Sequence, residues 1–353
     1  MEDRHSRVLS GKTRLAAPVR SAWSLLNTEI PGFVWAYRFD AATGTGRPLP
    51  PTTPREDLIV DEGFVWLHLA LSDARVPKFL EGFPDLPEAA RATLTDRDNH
   101  VVLASDDGVL HGVFTDIERA FDYETNDIGW FRFAASERLI VTARLHPLRC
   151  VEAARLAVDR GLAIHGTVGV FAAVVTEFEK VVDALIVEMG DELDRIEDYV
   201  FETAPRDERR RLGPVRRTIV RLNRQLRASV ALFRRYQRWD EPDPLPTGTV
   251  EMAETMADLL GSALQEMQGL QDRARLLHEE IDSKISSETN RHLYILSIMT
   301  AFLLPPTLVT GFFGMNTGGL PFAGEHFGTV FAFLLGGMSV WGAWWFLKRV
   351  GIL

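Results

Sequence analysis

The 353-residue chain is 46 % hydrophobic and 25 % charged, an ordinary composition at a length that suits two or three domains. Its 49 acidic and 39 basic residues leave a net charge of −10, which argues against general nucleic-acid binding. A single cysteine, Cys150, excludes internal disulfides and cysteine-rich metal cages.

The chain opens MEDRHSRVLSGKTRLAAPVR, polar and charged, with no apolar signal peptide. The N-terminal bulk is therefore expected in the cytoplasm. Residues 30–150 read as an α/β region. Strand formers fill Phe33–Phe39 and Phe64–Leu69, and Ala41–Pro54 between them reads as a loop because prolines and glycines crowd it. Short helices are predicted at Val76–Leu80 and Pro87–Leu94. Further strands are predicted at Val101–Ala104, Val109–Ile117, Ile128–Ala134 and Leu139–Leu145. A helix follows over Pro147–Arg160, with proline near its start and Gly161 after its end.

No enzyme constellation is visible: there is no Gly-rich phosphate loop, nucleophile elbow or His-Glu-x-x-His. His68 reads as a strand residue with a local partner rather than a metal ligand. Cys150 and His146 lack the orienting partners of a nucleophile pair. His278-Glu279-Glu280 is too compact for a metal site.

From Thr167 to Glu202 the pattern is helical and acidic; from about Asp207 to Trp239 it is helical and basic. The two are expected to form an antiparallel pair with complementary surfaces. The alternative is that some of the carboxylates bind regulatory divalent cations. After Glu241-Pro242-Asp243-Pro244, a third helix begins near Thr249 and meets no proline before Pro305. The simplest reading is one stalk that continues into a membrane.

No charged side chain stands between Arg291 and Glu325. Tyr294–Phe313 is long enough to cross a bilayer, and a second uncharged run covers about Phe327–Leu347. On a helix of about 100° per residue, Asn290, Ser297, Thr300, Leu304, Thr307 and Gly311 share one stripe about 100° wide. A polar stripe in lipid serves either tight helix packing or, pooled among several subunits, a pore. Pro305 and Pro306 are expected to bend or unwind this helix. Gly336, Gly337 and Gly342 in the second span would permit close helix approach, and Trp341, Trp344 and Trp345 would form an interfacial belt. Arg291 before the first span and Lys348 and Arg349 after the second place both termini in the cytoplasm.

The first span ends in Gly314-Met315-Asn316, after the lead-in Leu304-Pro305-Pro306-Thr307-Leu308-Val309-Thr310-Gly311. This stretch resembles the signature of the CorA superfamily of divalent-cation transporters. Gly318-Gly319-Leu320-Pro321 is more similar to the ZntB branch, associated with zinc uptake, than to the magnesium branch. Trp66-Leu67-His68-Leu69 and Leu86-Pro87-Glu88-Ala89-Ala90-Arg91 also look like the ZntB-type cytosolic domain.

The resemblance implies an α/β cytosolic domain, long α-helices and two C-terminal transmembrane helices in a funnel-shaped homopentamer of the inner membrane. The divisions expected are a cytosolic α/β domain over 1–164, the helix pair over 165–248 and a stalk over 249–292. Then come a pore-lining span over 293–315, an external loop over 316–326, a second span over 327–347 and a cytosolic tail over 348–353. Gly314, Met315 and Asn316 would form the selectivity filter, with the Asn316 amide holding a hydrated cation through its water. Asn290, Ser297, Thr300, Leu304, Thr307 and Gly311 would line the pore. Glu325 and His326 would ring its external mouth and connect metal entry to protons. The expected function is transport of divalent cations, zinc first, with no cofactor. The bilayer, metal ions and other copies of the chain are its partners, and nucleic acid is not. A CorA-type magnesium or cobalt channel is the near alternative. A non-conducting membrane-anchored scaffold or metal sensor is the alternative of another class.

Overall fold

The computed structural model describes residues 30–119, 127–202, 208–239, 244–315 and 327–351. The chain divides into two compact units, 1–191 with 216–271, and 192–215 with 272–353.

The first unit is built on a seven-stranded sheet. The strands are β1 (Phe33–Phe39), β2 (Gly46–Leu49), β3 (Phe64–Ala70), β4 (Val102–Asp106), β5 (Val109–Ile117), β6 (Ile128–Ala135) and β7 (Leu139–Arg144). Their order is β2-β1-β3-β7-β6-β5-β4, with β3 and β7 parallel and every other pair antiparallel. Every residue of β5 and the first six of β3 are buried, as expected of strands covered on both faces.

On one face, Val65, Leu67 and Leu69 of β3 and Val141 and Ala143 of β7 pack with α1 (Val76–Leu80) and α2 (Glu88–Thr95). On the other, Phe114, Phe131 and Phe133 meet Phe171 of α4 (Thr167–Glu202) and Phe233 of α5 (Glu208–Tyr236). The Phe133 and Phe171 rings stack at 4.2 Å. The same face carries α3 (Arg149–Asp159), tied to β1 by a 2.6 Å hydrogen bond from the Tyr37 hydroxyl to Asp159. Gly161 follows α3 at φ +100°, a left-handed conformation suited to glycine.

β2 is a correction to the sequence reading, which made Ala41–Pro54 a loop. Gly46–Leu49 pairs antiparallel with Ala36–Phe39. Its Gly46 and Pro48 weaken the strand pattern, and an edge strand tolerates both. The turn before it is held by Asp40, whose carboxylate accepts the backbone N–H of Thr43 at 2.8 Å.

In the second unit, Arg211 meets Glu192 at 2.8 Å, and Arg273 of α6 (Thr249–Gly314) meets Asp194 at 2.5 Å and also Glu197. Among the described pairs, Glu192–Arg211 joins the acidic α4 to the basic α5, and the Arg211 guanidinium also lies 5.5 Å from the Tyr199 ring of α4, while Asp194 and Glu197 of α4 meet Arg273 of α6. The faces that α4 and α5 bury are apolar, and the charged residues remain outside. Prolines 305 and 306 do not unwind α6, which runs as one helix of 66 residues. The unit ends with α7 (Gly328–Val350), closed by Gly351 at φ +77°.

Candidate functional site

The candidate residues lie on the C-terminal part of α6, a helix with two unlike sides. Ile298, Ala301, Phe302, Pro305, Pro306, Val309 and Phe313 are partly buried, at the spacing of one helical face. The Phe313 and Phe331 rings meet at 6.4 Å, which places α7 near this face. The other side carries Asn290, Ser297, Thr300, Leu304, Thr307 and Gly311, all exposed within the chain. Leu304 is 61 % and Leu308 71 % exposed, so lipid or another polypeptide must cover them.

Two shallow concavities follow this outer side. One is lined by Leu296, Ser297, Thr300, Ala301, Leu304 and Pro305. The next includes Thr300, Leu304, Thr307, Gly311 and Met315. Five of the six stripe residues thus share a continuous groove, and Asn290 is exposed further toward the N-terminal end of the helix. Gly314 and Met315 are exposed at its C-terminal end. Asn316, Glu325 and His326 lie outside the described residues.

The two threonine hydroxyls on the stripe are oriented by their own helix. Thr300 Oγ1 donates to the Leu296 carbonyl at 2.8 Å, and Thr307 Oγ1 to the Leu303 carbonyl at 2.6 Å. Each hydroxyl proton is taken by backbone, so the oxygen lone pairs remain for an outside donor. Oriented acceptor oxygens suit the water shell of a cation. Leu304, between them, offers no polar atom and makes an apolar step.

A Cβ added at Gly311, Gly314, Gly336, Gly337 or Gly342 would meet no atom within 4 Å. Close approach at Gly336, Gly337 and Gly342 was expected, and among the described residues no neighbouring helix lies that near. At the other end of α7, Lys348 Nζ lies 5.0 Å from the Trp344 ring and the Arg349 guanidinium 5.2 Å from the Trp345 ring. Both α6 and α7 are long and apolar enough to cross a membrane, and 6 % of the apolar window of each is buried.

The soluble unit holds buried polar groups of another kind. His68 is fully buried, with Nδ1 2.8 Å from Thr142 Oγ1 and its ring stacked at 4.0 Å on Trp35. Burial, and then the charge of Arg144, push its pKa well below the usual histidine value. This is the strand histidine with a local partner that the sequence indicated. Cys150 is also fully buried, and burial followed by the charge of Asp116 pushes its thiol well above the usual range. A buried thiol held protonated is a poor nucleophile. His278 Nε2 lies 3.5 Å from Asp282, one helical turn away. Among the described residues no group of three or more His, Cys, Asp or Glu side chains is placed to hold a metal ion.

Asp116 and Arg132 were not singled out from sequence. Asp116, buried in β5, accepts the backbone N–H groups at the start of α3. Arg132, buried in β6, donates from Nε to the Asp96 carbonyl at 2.5 Å and holds the segment after α2. A charged residue inside an apolar strand was the available signal for each.

The model of the family described as CorA-like Mg2+ transporter protein matches residues 61–349. The zinc transport protein ZntB of Photorhabdus laumondii subsp. laumondii is 24 % identical over 80 % of this chain and 86 % of its own. The divalent cation transporter CmaX of Pseudomonas aeruginosa is 28 % identical over 64 % of this chain and 68 % of its own. Among solved structures, full-length CmaX superimposes with a TM-score of 0.74 at 24 % identity, covering 91 % of this chain and 98 % of that one. The CorA magnesium transporter of Methanocaldococcus jannaschii gives 0.70 at 14 % identity, with 91 % and 99 % covered. At these identities the structural likeness establishes the fold.

Proposed function

The chain belongs to the CorA-like Mg2+ transporter family, and from that premise we propose that it is a homo-oligomeric inner-membrane transporter admitting divalent cations, zinc first. The observation that carries the reading is the exposed α6 groove, where Ser297, Thr300, Thr307 and Gly311 share one side with the apolar Leu304. One helix cannot enclose a path for an ion. Several copies pooling this side around an axis would both cover Leu304 and Leu308 and surround a water-filled path with oxygen acceptors. A pentameric funnel is the assembly implied by the family.

In this pore the filter is Gly314, Met315 and Asn316. The Asn316 amide would hold the water of a hydrated cation without binding the ion so tightly that it cannot leave. Thr307, Thr300, Ser297 and Asn290 would pass it inward, and Leu304 would gate by dewetting. Glu325 and His326 would gather metal at the mouth and couple its entry to protons, since imidazole binds zinc and titrates near neutrality. Lys348 and Arg349 would keep the C-terminus cytoplasmic. The cytosolic funnel would hold the closed state or sense internal metal.

Zinc is favoured by Gly318-Gly319-Leu320-Pro321 and by the ZntB relatives. A magnesium or cobalt channel is the second reading, favoured by the description of the matching family model. The test is Asn316→Ala in reconstituted vesicles. Loss of flux or of zinc-over-magnesium selectivity supports the filter. Unchanged flux and selectivity, with oligomer size preserved, would exclude it.

A further inference from the structure

Helices α4 and α5 carry the same spaced pattern with opposite charge. On α5, Arg216, Arg224 and Arg227 stand four before, four after and seven after Val220. On α4, Asp183, Asp191 and Asp194 stand at the same offsets from Val187. Such offsets keep all three charges within about 40° of the central residue on a helix. Val187 is 64 % exposed and Val220 45 % exposed. The flanking charges are exposed as well. Each helix therefore presents an apolar centre flanked by these charges, with Lys180 also on the α4 face, on the side away from its buried residues, Val182, Leu185 and Met189 of α4 and Ile219, Leu222 and Leu226 of α5.

Among the described residues most of these charges have no ion-pair partner. Among the described residues Arg216, Arg224 and Arg227 make no ion pair. Asp194 meets Arg273 at 2.5 Å, and Lys180, beside the acidic patch, is already held by Glu177 at 2.7 Å. Glu179 stands four residues before Asp183 on the same helix, and burial together with that second carboxylate raises its pKa. The acidic side is thus crowded with like charge that a facing guanidinium would relieve.

A two-fold contact of either face with itself would set like charge on like. Setting the acidic face of one copy on the basic face of the next is a heterologous contact, which repeats head to tail and makes a ring when it closes. We infer that the α4 face centred on Val187 docks on the α5 face centred on Val220 of a second copy of this chain. This contact rests on the homo-oligomeric reading above and names the residues that order its subunits. An apolar centre with a charged rim is the usual anatomy of a protein interface. The rim is screened by salt, so it sets register and partner more than tightness.

The test uses the full chain in detergent, with Val187→Cys and Val220→Cys combined. Cys150 is buried, so the two introduced thiols are the accessible ones. Mild oxidation should give a ladder of covalent oligomers from the double variant and none from either single variant. Adding Arg216→Glu with Arg224→Glu should cut that cross-linking at least tenfold, and further adding Asp183→Arg with Asp191→Arg should restore it. Mass by light scattering is read in parallel on unoxidised protein. An oligomeric mass without inter-copy cross-links, or cross-links indifferent to the charge reversals, would overturn this contact and leave the oligomer standing. A monomeric mass would sink the homo-oligomeric reading and the contact with it.

Discussion

Asp116 Oδ1, at the end of β5, lies 2.8 Å from the backbone nitrogen of Cys150, at the start of α3. The other carboxylate oxygen takes the N–H of Val151 at 3.0 Å, and Oδ1 also takes that of Ile117 at 2.6 Å. The residue preceding α3, Leu148, offers no side-chain cap, so a distant strand supplies one. Asp116→Ala would leave buried donors without acceptors and should lower stability by about 3 kcal/mol. Chemical unfolding of the full chain, followed by circular dichroism, reads this directly. A change under about 0.5 kcal/mol would show that water or backbone replaces the carboxylate.

Burial, and then the charge of Asp116, disfavour the Cys150 thiolate. The thiol is buried and its pKa is raised, so the thiolate that reacts is scarce. Alkylating reagent should leave the native chain unlabelled at neutral pH and label it once per chain in denaturant. Rapid native labelling would contradict the burial.

His68 should make the soluble unit acid-sensitive. Its folded pKa is depressed, whereas an unfolded histidine titrates near about 6.5. Below that value the unfolded chain binds a proton that the folded chain refuses. Stability conferred by the neutral ring is therefore full above the unfolded pKa and falls as pH drops below it, by about 1.4 kcal/mol per pH unit. His111, whose pKa burial also lowers, adds in the same direction. His68→Gln should reduce the slope of stability against pH between about 6 and 5 by that single-proton amount. An unchanged slope would mean that His68 titrates normally in the folded chain.

Much of the fold was legible because its signals are local. Phe33–Phe39 and Val109–Ile117 are strands over the expected spans, and Thr167–Glu202 is the expected helix. Sheet order was not legible, since the parallel pairing of Val65–Ala70 with Leu139–Arg144 is decided by packing across some seventy residues of sequence. β2 was hidden by Gly46 and Pro48. At the candidate site, the helical period predicted the shared side of Ser297, Thr300, Leu304, Thr307 and Gly311. The direction of the threonine hydroxyls came only from the structure, because a threonine bonds its own helix or an outside partner equally well on paper.

Leu304 sets the apolar step in the proposed path. Leu304→Ser should raise metal flux about tenfold, equivalent to about 1.4 kcal/mol off the barrier. Thr307→Val keeps the shape and removes the oriented oxygen, so flux should fall while the helix persists. Flux indifferent to both substitutions would place the path elsewhere.

The most direct test of the account is metal uptake into proteoliposomes carrying the purified full chain. Zinc and magnesium are supplied separately, each with and without an inward proton gradient. The account predicts zinc uptake that rises with the gradient and exceeds magnesium uptake. Magnesium flux independent of the gradient, with little zinc entry, would contradict the zinc assignment in favour of a magnesium channel. No flux of either ion from correctly assembled protein would contradict transport itself.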